Sequence, residues 1–286
     1  DKNGNITHTN AQLTTEAVKL LFDGHFTDKD MELLSCGTTT HDVLLPSHAA
    51  MVHGLLKNKS VELNSSAGIC NAGMNALKYG YMSIKCGNTS NAVCTGSERL
   101  STWMLSSKFE GEVASLKSLK EEPIIAFKKE FLRWMLSDGA GAVLLKNKPN
   151  TEGVSLEIKW IDYYSYAFEL ETCMYAGGDK MENGEIKSWL DYEPKDMRGK
   201  SLMSFKQDIK LLDEYILSKG IESLEQTVAK RNFKVDEIDY FLPHVSSNFF
   251  VEGLYNSLKD AGYEIPKEKW FMNLSKVGNV GAASIY

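Results

Sequence analysis

The feature that most constrains this chain is a repeated order of elements. The segment Asp28–Gly37 can be laid on Val235–His244. Each is a Lys/Asp-rich entry, a short apolar run and a loop. Each is followed by a helical pattern, a second short apolar run and a Gly/Ser-rich turn into a helix. The turn after the first copy carries Cys70, 33 residues beyond Gly37, and the turn after the second carries Asn279, 35 residues beyond His244. Equivalent loops at equivalent strand ends are where a pseudo-twofold α/β fold brings side chains together. The expectation is an α/β chain of two related halves: residues 1–150 carrying Cys70, and residues 151–286 carrying His244 and Asn279.

Periodicity fills in the elements. Residues 11–25 read as a helix with Leu13, Ala17, Val18, Leu20 and Leu21 on one face, and Met31–Cys36 as a short buried strand ending in the polar loop Gly37–His41. A helix over 47–57, a strand over Ser60–Leu63, a helix over 70–86 and a strand over Asn91–Gly96 follow. Residues 109–131 are polar and mixed, and read as an insertion or lid. Met135–Leu145 is a tight Gly-rich turn running into a buried strand. Ser155–Tyr163 alternates β-branched and aromatic residues as a strand would, and 174–200 is charged surface. A long helix is expected over 203–231, a strand over Ile238–Leu242, a helix over 246–261 and a strand over Trp270–Leu274.

Composition narrows the classes. The 286 residues are 43% hydrophobic, enough for a large core, and only 24% charged. Net charge is −6 with acids and bases intermixed, which is not the footprint of a nucleic-acid binder. The chain has no apolar run of membrane-spanning length and no charged-then-apolar leader, so a soluble, cytoplasmic protein is expected. The five cysteines (36, 70, 86, 94 and 173) form neither a C-x-x-C pair nor a Cys/His cluster, which argues for a reducing compartment and against disulfides or zinc. The abrupt polar start and the unfinished turn at Gly281–Tyr286 suggest a segment of a longer protein.

Cys70 lies where an apolar run meets small residues and then a helical pattern. At a helix N-terminus the partial positive charge favours thiolate, the nucleophilic form. The plain alternative is a small apolar residue in a core. Likewise, a histidine after a proline is usually structural, and Asn279 between Gly278 and Gly281 fits a turn. Cys36, Cys86, Cys94, Cys173, His41, His48 and His53 are expected to be structural, as is the turn at Asp138–Gly141.

Taken in order, the Cys70 segment, Ser97–Glu98, Ser137–Leu145, Leu242–His244 and Gly278–Ser284 resemble the thiolase superfamily, and more narrowly the condensing enzymes of the ketoacyl-ACP synthase III and chalcone synthase type. The resemblance spans nearly the whole chain. It implies two βαβαβαββ halves stacked in five layers (αβαβα), truncated here at both ends. It further implies that Cys70 takes an acyl group from a thioester. His244 and Asn279 would donate hydrogen bonds to the enolate left when a malonyl-type thioester loses CO2, and the Cys70 backbone N–H would form part of an oxyanion hole. Acyl-CoA or acyl-ACP, malonyl-ACP and the acyl carrier protein are the implied partners, in a homodimer or heterodimer; no cofactor or metal is implied.

Gly73 follows Cys70 by three residues, as in the chalcone synthase type; in the commonest synthase III pattern the glycine comes after two, which would set Asn71 at the nucleophile position. In the segment after His244, Asn248 stands one residue later than usual. The family's first strand, its basic N-terminal loop and its C-terminal Gly-rich strand are not in the sequence. A thiolase would need a second cysteine near the C-terminus. A hydroxymethylglutaryl-CoA-synthase-like enzyme would need a glutamate base after the second strand, where Asp42 is the nearest acid. The alternative from another class is a non-catalytic scaffold or chain-length-factor-like subunit, which would be expected to lack the cysteine. The large residues of 100–135 (Trp103, Met104, Phe109, Phe127, Phe131, Trp134, Met135) could shape an acyl tunnel, and Lys128, Lys129 and Arg133 a patch for an acidic carrier protein.

Overall fold

The computed structural model describes residues 5–105, 132 and 135–286. Phe109, Phe127, Phe131, Trp134, Lys128, Lys129 and Arg133, with the insertion or lid expected over 109–131, lie outside the described residues. Contacts divide the chain into two compact units, one of residues 1–100, 137–161 and 279–286, the other of 101–136 and 162–278.

The first unit is a sheet clothed on both faces. Its described elements are α1 (Asn10–Lys19), β1 (Leu33–Thr38), α2 (His48–Leu56), β2 (Glu62–Ser66), α3 (Ala72–Lys85), β3 (Asn91–Glu98) and β4 (Gly139–Lys146). The strand order is β2-β1-β3-β4; β1 pairs in parallel with β2 and β3, and β4 runs antiparallel to β3. Every residue of β1 is buried, as the central strand of a two-faced sheet requires. Side-chain alternation then splits the core. Leu34, Cys36 and Val93 pack with Ala11, Val18, Ala49 and Val52 of α1 and α2 on one face; Leu33, Ala92 and Cys94 pack with Leu77 and Ile84 of α3 on the other. α1 begins with a capping box in which Thr9 accepts from the Gln12 N–H and Gln12 returns the bond.

The expected helices and strands of the first copy of the repeat are present with shifted ends. β2 runs Glu62–Ser66 rather than Ser60–Leu63, and α1 ends at Lys19 rather than reaching residue 25. The strand expected over Ser155–Tyr163 does not form. Val154 and Leu156 are almost fully exposed, and no described strand offers that segment a ladder. Local β propensity reports fitness for a pleated surface and says nothing of a partner.

The second unit contains two small antiparallel pairs, β5 (Met174–Tyr175) with β8 (Lys206–Gln207) and β6 (Gly178–Lys180) with β7 (Ile186–Ser188). Its helices are α4 (Pro194–Gly199), the long α5 (Ile209–Arg231), α6 (Phe249–Asp260) and a single turn at Leu274–Val277. α5 ends on Asn232 in the left-handed region. Here the second copy of the repeat is reduced. In place of strands over Ile238–Leu242 and Trp270–Leu274 there is one parallel bridge, Phe241 to Trp270, on either side of α6. Met104 is buried and Trp103 packs on Phe205 with ring centroids 5.1 Å apart. No described helix is long and apolar enough to cross a membrane.

Candidate active site

Cys70 sits in the turn between β2 and α3, half-buried, and the Ala72 N–H closes that turn on the Ile69 carbonyl at 3.0 Å. Asn71 caps α3 without a side-chain bond. The expected lowering of the thiol pKa by the helix end is overturned. Burial, and next the negative charge of Glu98, push Cys70 up to about 11, so the resting sulfur carries its proton. A helix-terminal partial charge is worth about 1 kcal/mol or less at most sites, too little to offset burial beside a carboxylate.

Two glycines bring a second piece of chain against this helix, and a third lets the helix sit on β1. A Cβ on Gly73 would lie 2.0 Å from the Ala282 carbonyl oxygen, and one on Gly96 of β3 would lie 2.1 Å from the same atom. A Cβ on Gly37 would strike the Ala72 carbonyl at 2.1 Å. The Tyr286 hydroxyl donates to the Gly73 carbonyl at 2.8 Å. The spacing of three from Cys70 to Gly73 thus has a physical reason: the turn Gly281–Ala283 rests on the first turn of α3, and only a glycine leaves it room. In β4, Gly139 and Gly141 do the same for Val280 and Tyr286, and the stretch expected as a turn is strand from Gly139 onward.

That seated turn carries Asn279, which is 1% exposed. Its backbone carbonyl accepts from the Ser137 N–H at 2.8 Å, and its side-chain Oδ1 accepts from the Gly281 N–H at 3.0 Å. The second bond sets the orientation of the amide, because only its oxygen can accept. Nδ2 is left buried without a hydrogen-bond partner. A buried donor without a partner costs about 1–3 kcal/mol, and here Nδ2 is a donor that the chain itself does not engage. Cys70 and Asn279 therefore belong to contacting elements of one unit.

His244 belongs to the second unit, following Pro243 and preceding the buried Val245. The residue itself is exposed, and the desolvation it does undergo lowers its pKa from 6.5.

The other cysteines and histidines have structural places. Cys36 and Cys94 are in the core, Cys86 is exposed after α3, and Cys173 is half-buried. His53 bonds the Lys59 carbonyl at 2.9 Å. His48 is buried between Thr14 Oγ1 at 3.1 Å and Ser97 Oγ at 3.2 Å, with the His41 ring edge-on to it. Asp42 is committed to the start of α1, accepting from the Asn10 and Ala11 N–H groups at 2.9 Å, and pairs with Arg99. The residue that sequence reasoning left without a role is Glu98, whose partners are far apart in the chain. Among the described residues no group of three His, Cys, Asp or Glu could hold a metal ion.

No family model matches the chain. Relatives do. A beta-ketoacyl-[acyl-carrier-protein] synthase III of Limosilactobacillus reuteri (strain DSM 20016) is 25% identical over 280 residues, covering 98% of this chain and 74% of its own. Among solved structures, a tetronic acid condensing enzyme shares the fold with a TM-score of 0.71 at 17% identity, over 99% of this chain and 77% of that one. The 3-oxoacyl-[acyl-carrier-protein] synthase III of Aquifex aeolicus VF5 does so with 0.63 at 22%, over 98% and 74%. The chain is thus similar over nearly its whole length to a ketoacyl synthase III, and it shares the thiolase-like fold of the condensing enzymes.

The resting thiol sets a measurable constraint. With a pKa of about 11, Cys70 is thiolate to roughly one part in ten thousand at pH 7. Its alkylation by iodoacetamide, followed by mass spectrometry of the Cys70 peptide, should rise about tenfold for each pH step and keep rising past pH 9. A plateau near pH 8.5, where an ordinary thiol levels, would refute the buried-thiol account.

Proposed function

We propose that Cys70, His244 and Asn279 carry out a decarboxylative Claisen condensation, in fatty-acid or polyketide-like biosynthesis. The Cys70 sulfur attacks an acyl thioester; a new S–C bond forms on the enzyme, the donor thiol departs, and the Cys70 proton passes to it. A malonyl-type thioester then breaks its bond to the carboxylate carbon. CO2 leaves, and the electron pair moves onto the thioester oxygen as an enolate. His244 and Asn279 donate hydrogen bonds to that oxygen, neutral groups that add no charge to repel it. The enolate carbon attacks the Cys70 acyl carbonyl, a C–C bond forms, the acyl C–S bond breaks, and the Cys70 sulfur leaves as thiolate and takes a proton from water.

The single observation that supports this most directly is the buried Asn279 amide, held by its oxygen with both N–H bonds free, on a turn seated against the Cys70 helix. Acyl-CoA or acyl-ACP as donor, malonyl-ACP as extender, the acyl carrier protein as partner, a homodimer or heterodimer as the working form and the cytoplasm as its place follow from the same reading. The test is mass spectrometry after incubation with an acyl-CoA or acyl-ACP. A stable acyl adduct is expected on the peptide containing Cys70; no adduct on that peptide would instead favour a non-catalytic scaffold subunit.

A further inference from the structure

We propose that Glu98 is a positioning residue for the condensation, holding the turn that presents the Asn279 amide. The proposal rests on the reading of Cys70 and Asn279 given above and extends it to a residue that touches no substrate. Glu98 is the last residue of β3 and is 1% exposed. Its Oε1 accepts from the Thr39 N–H at 3.0 Å and the Ala282 N–H at 3.4 Å; its Oε2 accepts from the Thr40 N–H at 3.1 Å and the Thr40 hydroxyl at 2.7 Å. One carboxylate therefore joins two pieces of chain, the loop leaving β1 and the turn that begins with Asn279.

That turn is held close. Gly281 adopts φ +51°, and a Cβ there would lie 2.9 Å from Glu98 Cγ. The same Gly281 gives its N–H to Asn279 Oδ1. Glu98 thus holds the peptide on one side of Gly281 while the peptide on its other side holds the amide, and Nδ2 stays the free end. Arg99 reaches the Asp42 carboxylate at 3.4 Å and the His8 carbonyl at 2.9 Å, while its backbone N–H ties into the same loop through Thr40 Oγ1 at 2.8 Å. A buried carboxylate is costly unless its oxygens are satisfied. Here burial still raises its pKa, with the hydrogen bonds from Thr39, Thr40 and Ala282 opposing it. Its negative charge is also the second cause, after burial, of the raised thiol at Cys70.

A purely structural carboxylate would affect stability alone; a positioning one acts through Asn279. The test is a double-mutant cycle on kcat for condensation, using Glu98→Gln, Asn279→Ala and the double variant, with acyl loading of Cys70 read separately. Asn279→Ala is expected to lower kcat about a hundredfold, the scale of losing one oxyanion donor. Glu98→Gln should lower it about tenfold with the KM for the acyl donor and the loading of Cys70 retained, and the double variant should be no slower than Asn279→Ala, because the two act as a unit. Should Glu98→Gln fail to fold, Glu98→Asp takes its place: it keeps the charge but shortens the reach to Ala282, and the same non-additivity is expected. Losses that multiply, or a Glu98 variant with unchanged kcat, overturn the proposal. An Asn279→Ala variant with intact condensation overturns the underlying site reading, and with it the role of Glu98.

Discussion

Replacing Cys70 with alanine is expected to lower condensation by at least about a thousandfold, the range seen when a covalent nucleophile is removed from an otherwise intact site. The residual reaction would come from binding and from the enolate donors alone. A sharper expectation attaches to the partial reaction. In the proposed mechanism decarboxylation of a malonyl thioester draws on the Asn279 amide and the His244 ring and on no sulfur, so Cys70→Ala should retain it while losing the acyl adduct and the C–C bond. Cys70→Ser tests acidity further. A serine hydroxyl is a still weaker acid than the buried thiol, so it should load acyl groups far more slowly without disturbing the turn at Ala282. Rates of CO2 release and of product formation, measured side by side, separate the two steps. If Cys70→Ala keeps condensing, another nucleophile does the work and the assignment is wrong.

The fold was legible where local pattern and burial agree. β1 is an apolar run because both its faces are covered by helices, and α3 shows its small residues where the sheet and the Ala282 turn press on it. Ser155–Tyr163 has the alternation of a strand and forms none, since a strand is half an interaction and its partner lies outside any local window. The second copy of the repeat was legible in its order of elements, but its pairing shrank to the Phe241–Trp270 bridge. Sequence spacing reports which elements recur and is silent on how many ladder bonds each pair achieves.

The candidate site divides in the same way. Cys70 and Asn279 stood out through their places in the repeat, and Gly73 through its spacing. The chemistry at Cys70 did not follow from position. A helix N-terminus pointed to a thiolate, whereas burial and a carboxylate arriving from the end of β3 make it a thiol. Glu98 was legible as part of a motif but not as a clamp, because three of its donors, on Thr39 and Thr40, precede it by 59 and 58 residues and the fourth, on Ala282, follows it by 184. Nonlocal electrostatics is what sequence order conceals.

His48 shows the same principle as a stability effect. Burial first, and next the neighbouring His41, hold its pKa at about 4 against an ordinary 6.5, with Asp42 opposing. The folded state therefore binds fewer protons than the unfolded state between those values. The neutral ring contributes stability that is fully present above pH 6.5 and is lost as pH falls through about 4. The gap corresponds to about 3 kcal/mol, a large part of the 5–15 kcal/mol typical of a whole domain. Urea unfolding followed by circular dichroism at pH 7, 5.5 and 4 should show this loss in the native chain. His48→Gln, which can still hydrogen-bond Thr14 and Ser97 but cannot charge, should start less stable at pH 7 and lose less across the same window. Other groups contribute to the acid limb, among them His244, whose pKa is also lowered but whose exposure weakens the effect. The difference between the two proteins isolates His48. Parallel curves would mean that the ring is not held neutral by its burial, and that the Thr14–His48–Ser97 contacts can accommodate the imidazolium.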